Sequence, residues 1–363
     1  MSGIRFLKQL NWRPVLIIFL SLLMALLIGA VFMLASGFNP LEVYWMMFQG
    51  AFVSSYNLMN TLQKATPLIF TSLAVLIAFR SGTFNMGVEG QLFLGAIAAA
   101  WAGFALQGLP AWLHIPIALL VAMLAGALYA LIPAVLKFRF KVNEIISTIM
   151  LNTVAVLLTS YLVNYPLREN PMAAQTPKVL ESARLPRLVD YSQVNIGIFL
   201  AIFCVFLFWY IFRNTTFGFR TRMVGEASSF AEFAGINPLR TAFMGMLISG
   251  AVAGLAGGVE LLGVHYRFVE QFSKGLGFDG ILIAWLGKGT PLGAFIAALF
   301  YGGLKTGAMT VDWMTDIPRQ LADTILAIVI FFMAADGLFD WFWIIKKRFR
   351  AKKEQEVEVK TNA

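Results

Sequence analysis

The chain has 363 residues, 59% of them hydrophobic and 13% charged, with a mean hydropathy of +0.76 and a formal net charge of +9. A soluble domain carries about a quarter charged residues, so the composition excludes an ordinary water-soluble enzyme and points to a polytopic membrane protein. The single cysteine, Cys204, excludes an intrachain disulfide and a cysteine metal site, and the positive charge is explained by membrane topology rather than by nucleic acid.

In chain order, ten apolar runs approach the ~20 residues that cross about 30 Å of hydrocarbon. The expected spans are 15–36, 56–79, 85–106, 113–136, 143–164, 194–212, 241–263, 268–287, 291–310 and 320–345. The fold class is all-α, a polytopic transmembrane helical bundle with glycine-broken helices near the third and eighth spans, either of which is open to a re-entrant geometry. The first run follows Arg5, Lys8 and Arg13. It is longer than the apolar part of a secretory signal and no small-residue cleavage site follows it, so it reads as a retained first helix.

With the N-terminus inside, the cytoplasmic segments collect the larger share of the 28 Lys and Arg, including Lys137, Arg139, Lys141, Arg213, Arg220, Arg222 and the basic residues from Lys346 onward. This bias predicts an even span count and both termini in the cytoplasm. A transmembrane region 1–345 then carries an exterior loop, 165–193, rich in proline, and a cytoplasmic loop, 213–240; residues 346–363 form a charged tail.

The most informative segment is Phe79-Arg80-Ser81-Gly82-Thr83-Phe84-Asn85-Met86-Gly87-Val88-Glu89-Gly90-Gln91, which sets ionisable and amide side chains and three glycines between two apolar runs. An ionisable group facing lipid costs about 3 kcal/mol, and glycines at this density favour a broken helix. Irregular polar backbone at membrane depth is tolerated where protein or water surrounds it, so the segment reads as part of a passage. A loose echo, Gly277-Phe278-Asp279-Gly280, stands at the eighth span. Paired broken helices in two halves are a pointer to a midplane path. Glu89 and Asp279 adjoin these broken segments and are the better candidates among the intramembrane polar residues for lining it, with structural pairing, for instance to Lys64, the competing role.

No enzyme constellation appears. His114 and His265 stand apart near span ends and read as structural. Gly287-Lys288-Gly289-Thr290 resembles the end of a phosphate-binding loop, but Leu282 occupies the place of its first glycine and no strand precedes it. ATP is therefore not bound through that motif. Gly250-x-x-x-Gly254-x-x-x-Gly258 and Gly95-x-x-x-Ala99-x-x-x-Gly103 allow helix backbones to approach closely, either within the bundle or at a subunit interface.

In the cytoplasmic loop, Thr216–Asn237 contains a glycine turn and a short helix-like stretch, Glu226–Ala234, with Phe230, Phe233 and Ala234 on one side and a glycine stop before Asn237-Pro238. A short helix displayed between two spans suits docking into a partner's groove.

Two of these motifs carry a resemblance. Phe79-Arg80-Ser81-Gly82 through Asn85-x-Gly87-x-Glu89-Gly90-Gln91 resembles the signature of inner-membrane permeases of ABC importers, in the simple sugar and nucleoside branch related to branched-chain amino acid permeases. It looks closest to the nucleoside-type members. Phe217-Gly218, Arg222, Gly225, Glu226, Ala231 and Gly235-Ile236-Asn237 look like the family's ATPase-coupling segment, with Ser229-Phe230-Ala231 where many members have Glu-Ala-Ala. The resemblance runs over residues 60–340. It implies import of a small polar solute, a nucleoside or alternatively a simple sugar, across a bacterial inner membrane. It also implies a separate ABC ATPase that uses ATP, a substrate-binding lipoprotein, and a second permease or a second copy of this chain, with no cofactor or metal on the chain itself. Phe84, Asn85, Glu89, Gln91, Phe278 and Asp279 would line or gate the path, Phe84 against a planar base. The alternatives are an ion-coupled transporter using Glu89 or Asp279, an intramembrane enzyme and a non-transporting assembly subunit.

Overall fold

The computed structural model describes residues 13–169, 173–273 and 275–315 with positions 324, 327, 328 and 331, and only the backbone for 13–22. Among these residues the regular structure is twelve α-helices, two π turns and a 3-10 turn. They are α1 Arg13–Ala35, α2 Pro40–Phe48, α3 Ser55–Arg80, α4 Val88–Ala105, α5 Ala111–Phe140, α6 Glu144–Asn164, α7 Gly197–Asn214, α8 Thr216–Glu226, α9 Ser228–Phe233, α10 Pro238–Glu260, α11 Leu276–Leu286 and α12 Pro291–Met314. Extended pairing among them is confined to two isolated bridges, Gln175 with Val269 and Arg187 with Asn195.

Among the described residues, seven helices are long and apolar enough to cross a membrane: α3 to α7, α10 extended through His265, and α12. The first expected span coincides with α1, and the tenth, 320–345, lies almost wholly outside the described residues. The eighth, 268–287, is corrected. Its helix, α11, has 11 residues, about 16 Å at 1.5 Å per residue, or half of the hydrocarbon thickness. Tyr266, Gln271 and Gly275 before it are left-handed (φ 57°, 54° and 93°) and cannot continue a right-handed helix. A helix over 40–53, made of α2 and a π turn, was not expected from the sequence.

The chain divides into two compact units, Met1–Met46 with Val311–Ala363, and Met47–Thr310. In the first, the Tyr44 hydroxyl donates to the Leu26 carbonyl at 2.7 Å, tying α2 to α1. The second holds the bundle. Its helix starts follow from the sequence: Ser54, Asn143, Thr215 and Asn237 each accept a backbone N–H from the first turn of α3, α6, α8 and α10, and Pro238 supplies a fixed φ at the start of α10.

Helix α10 is the hub, packed on α3, α4 and α5. Helix α5 turns Ala118, Ala122, Gly126, Ala130 and Ala134 inward, all at four-residue spacing, while Leu120, Leu124, Leu128 and Ile132 are exposed. This inverts the pattern of a soluble helix. Lipid tails are as apolar as leucine, so helices associate through close backbone packing rather than by hiding large side chains. The Gly250/Gly254/Gly258 row meets that small stripe within the same chain: a Cβ on Gly250 would stand 2.4 Å from Ala130, and one on Gly258 would stand 2.8 Å from Ala122. This row therefore serves the bundle and not a subunit interface.

The predicted exterior loop folds back onto the bundle. Backbone N–H groups of Thr176, Val179, Leu180 and Leu185 donate to the carbonyls of Phe268, Tyr266, Gly103 and Leu262 at 2.8–3.0 Å. His114 is buried, with its ring nitrogens 2.9 Å from the Ser182 hydroxyl and 3.1 Å from the Ala102 carbonyl, a structural role as the sequence suggested.

Candidate functional site

The break after α3 is a glycine-terminated helix end. Gly82 is left-handed (φ 75°), the Gly82 N–H donates to Phe79 O, and the Thr83 N–H reaches back to Ala78 O, both at 3.1 Å. This is the Schellman arrangement, for which glycine is favoured because it carries no Cβ. The chain then returns into α4 through a stapled loop. Asn85 and Gln91 form a reciprocal amide pair, at 2.8 and 3.1 Å. Asn85 also donates to the Ser249 hydroxyl at 2.8 Å and accepts the Gly87 N–H at 3.0 Å. From α6, Asn152 accepts the Gly90 N–H and donates to the Met86 carbonyl, both at 2.8 Å. Asn85, Glu89, Gln91 and Asn152 are buried and bonded within the protein, which is how polar groups persist at such depth.

Glu89 joins the two glycine-broken segments. Its carboxylate accepts the Ser273 hydroxyl at 2.7 Å, the Gly275 N–H at 3.1 Å and the Gly277 N–H. It therefore caps the start of α11 from α4, placing a negative group where a helix presents unpaired N–H groups and the positive end of its dipole. Gly277 allows this approach, because a Cβ there would stand 2.4 Å from the Glu89 backbone nitrogen, and Gly280 similarly abuts Thr71 of α3. Sequence reading set these two segments side by side only as an echo; the structure packs one on the other.

Asp279, one turn into α11, accepts the Tyr301 hydroxyl at 2.6 Å and pairs with Lys305 at 2.9 Å, both from α12. Lys305 is thus a cation beside it. Phe84 is half-buried with its ring edge-on to Phe79 at 5.3 Å, and Phe278 is exposed. Ser249, Ser273 and Tyr301 were missed by sequence reading; each is a lone hydroxyl in a glycine-rich or apolar stretch. Replacing Asp279 with Asn and Lys305 with Met is expected to give less destabilisation in the double variant than the two singles sum to, by about 1–3 kcal/mol; thermal melting of the four proteins in detergent measures it.

The segment between α7 and α10 is two helices rather than the single stretch 226–234. They meet at Ala227, whose extended backbone (φ −153°, ψ 82°) breaks the helix. Helix α8 lies against α7, since a Cβ on Gly218 would stand 2.2 Å from Ile211 O. It also lies against the end of α3, since one on Gly225 would stand 2.6 Å from Arg80 O. Phe217, Arg222 and Glu226 thus sit on a helix that touches the signature loop. Helix α9 ends in a second Schellman turn, with Gly235 left-handed (φ 77°) and Ile236 N–H donating to Ala231 O at 2.9 Å. Ala231 is buried beneath it, while Phe230 and Phe233 point outward, Phe233 at 92% exposure. Asn237 caps the following helix.

Residues 57–334 match the family described as branched-chain amino acid transport system / permease component. The chain belongs to this family. The permease is 40% identical over 322 residues to the guanosine ABC transporter permease protein NupP of Bacillus subtilis, covering 87% of this chain and 92% of that one. It is 34% identical over 340 residues to the nucleoside ABC transporter permease protein NupB of Lactococcus lactis (90% and 93%). It is also 34% identical over 331 residues to the glucose ABC transporter permease protein TsgB13 of Haloferax volcanii (88% and 87%). No solved structure matches the chain. The permease is thus a multi-pass membrane transport component rather than an enzyme.

Proposed function

We propose that this chain is the membrane-spanning subunit of an ABC importer that carries a nucleoside into the cytoplasm. The reading rests first on the 40% identity, over most of both chains, with a permease named for guanosine. Each transporter would hold a separate ATPase that uses ATP, a substrate-binding lipoprotein on the exterior face, and a second permease or a second copy of this chain. The topology proposed is about ten membrane segments within residues 1–345 in the inner membrane of a bacterium, the eighth of them shortened to the 11-residue α11, both termini cytoplasmic, with a charged tail 346–363. The loop 165–193 then faces outward and 213–240 faces the ATPase.

In this arrangement Phe84, Asn85, Glu89, Gln91, Phe278 and Asp279 line or gate the path. The engagement of both Glu89 oxygens, one by Ser273 before α11 and the other by Gly277 within it, favours gating over solute contact for that residue, while the rings of Phe84 and Phe278 offer faces to a base. Phe217, Gly218, Arg222, Gly225, Glu226, Ala231, Gly235 and Asn237 transmit the ATPase motion. The contact of α8 with the end of α3 gives that motion a short route to the signature loop. A simple sugar is the second reading, favoured by the relative named for glucose.

Uptake of labelled guanosine by cells carrying the whole transporter tests the assignment. Unlabelled nucleosides are expected to compete and glucose is not; the reverse would establish the sugar reading. Exposed aromatic anchors commonly dominate protein interfaces, so Phe233→Ala is expected to leave the permease monodisperse. Recovery of the ATPase with it should fall at least tenfold, with uptake at background.

A further inference from the structure

A cavity of about 240 Å³ opens beside the signature loop, where three segments converge. Arg80 enters it from the end of α3, Arg222, Gly225 and Glu226 from α8, and Lys288 and Gly289 from the turn after α11. Three cations and one carboxylate leave this wall with a positive excess.

Two of the cations are specially placed. The Arg80 side chain is fixed, its Nε donating to Gly289 O at 3.0 Å and its guanidinium lying 4.8 Å over the Phe212 ring. That contact uses one of five guanidinium donors. Lys288 occupies the left-handed position (φ 51°) of a further Schellman turn, with Lys288 N–H donating to Trp285 O at 2.9 Å and Gly289 N–H to Ala284 O at 3.3 Å. At the other such turns, which end α1, α3 and α9, this position is Gly37, Gly82 and Gly235, as steric reasoning expects. A lysine held here, between two glycines, accepts backbone strain at the wall of the cavity, and strain of this kind clusters at ligand sites.

The geometry points to a binding site for a phosphate ester, held by Arg80, Arg222 and Lys288 through charge-assisted hydrogen bonds of the kind that planar guanidiniums make to phosphate. The volume corresponds to about eight waters at ~30 Å³ each, room for a phosphate and part of its ester group. The Gly287–Thr290 turn thus contributes a lysine side chain, not the backbone cradle of a nucleotide loop. An occupant would bridge α8, the end of α3 and the turn after α11, three elements that must move together if the cytoplasmic segment drives the path. The ester has two possible sources, an acidic phospholipid headgroup or a soluble phosphomonoester. The site is independent of which solute crosses.

Titration of the full-length permease in non-ionic detergent with glycerol 3-phosphate, and separately with dioleoylphosphatidylglycerol, followed by calorimetry, tests the site. At least one probe is expected to bind saturably, with affinity falling as salt rises. Lys288→Asn removes the charge while placing a residue tolerant of left-handed backbone there, so it is expected to melt no lower than wild type yet bind at least tenfold more weakly, with Lys288→Arg restoring binding. Binding of glycerol 3-phosphate alone identifies a soluble ligand, and binding of the lipid alone a headgroup. Absence of saturable binding by both probes, or equal binding by wild type and Lys288→Asn, would overturn the proposal.

Discussion

Glu89→Ala is expected to lower the melting temperature of the permease and to reduce solute uptake at least tenfold. The reason is local. The substitution strips the acceptor from the Ser273 hydroxyl and from the Gly275 and Gly277 N–H groups at the start of α11. A buried donor left unsatisfied costs about 1–3 kcal/mol, and a carboxylate at a helix N-terminus adds up to ~2 kcal/mol in partly buried geometry. Helix α11 has 11 residues, too few to hold itself together without tertiary support, so its entry into the bundle depends on this cap. Glu89→Gln keeps one acceptor oxygen and should fall between wild type and alanine in both measurements. Thermal melting followed in detergent, paired with uptake in cells, separates this role from solute contact. If Glu89 instead touched the solute, the alanine variant would melt like wild type and only its KM would rise.

The sequence made the helical character, the broken third segment and a short helix between α7 and α10 legible, each for an identifiable reason. Uninterrupted apolar runs have one hydrogen-bonding solution in lipid, and Gly82 and Gly235 stand where a left-handed residue ends a helix. Four of the helix starts carry Ser, Asn or Thr caps. Residues 268–275 defeated the same reasoning, because Phe268, Val269 and Phe272 give an apolar count typical of a span while Tyr266 and Gln271 turn the backbone left-handed, and no local propensity announces that. Partnership between polar residues was also hidden. Glu89 and Asp279 were recognisable as out of place in lipid, but Ser273 lies 184 residues from Glu89 and Lys305 lies 26 from Asp279. Such pairings depend on how α4, α11 and α12 pack, which periodicity does not encode.

Gly254 tests that packing most severely. Helices α4, α5 and α10 converge on it: a Cβ at Gly254 would stand 2.2 Å from the Ala122 carbonyl oxygen, a Cβ at Gly95 would stand 2.4 Å from the Gly254 Cα, and a Cβ at Gly126 would stand 2.2 Å from Gly250 O. The obstructing atoms are backbone, so no rotamer change relieves the clash, and α5 must move away from α10 along its length. Each pair of atoms drawn apart by 0.5–1 Å forfeits about a quarter to a half of its dispersion energy, and in a bilayer this packing is the main source of helix association. Gly254→Ala is therefore expected to lower the melting temperature sharply, and Gly254→Leu to leave no monodisperse protein on size-exclusion chromatography. Leu124→Ala provides the contrast. That side chain is 62% exposed on the outer face of α5, where its loss exchanges one lipid contact for another, and its melting temperature is expected to stay close to wild type. If the core followed soluble-protein rules, the leucine truncation would be the damaging change and the added methyl at position 254 would be absorbed.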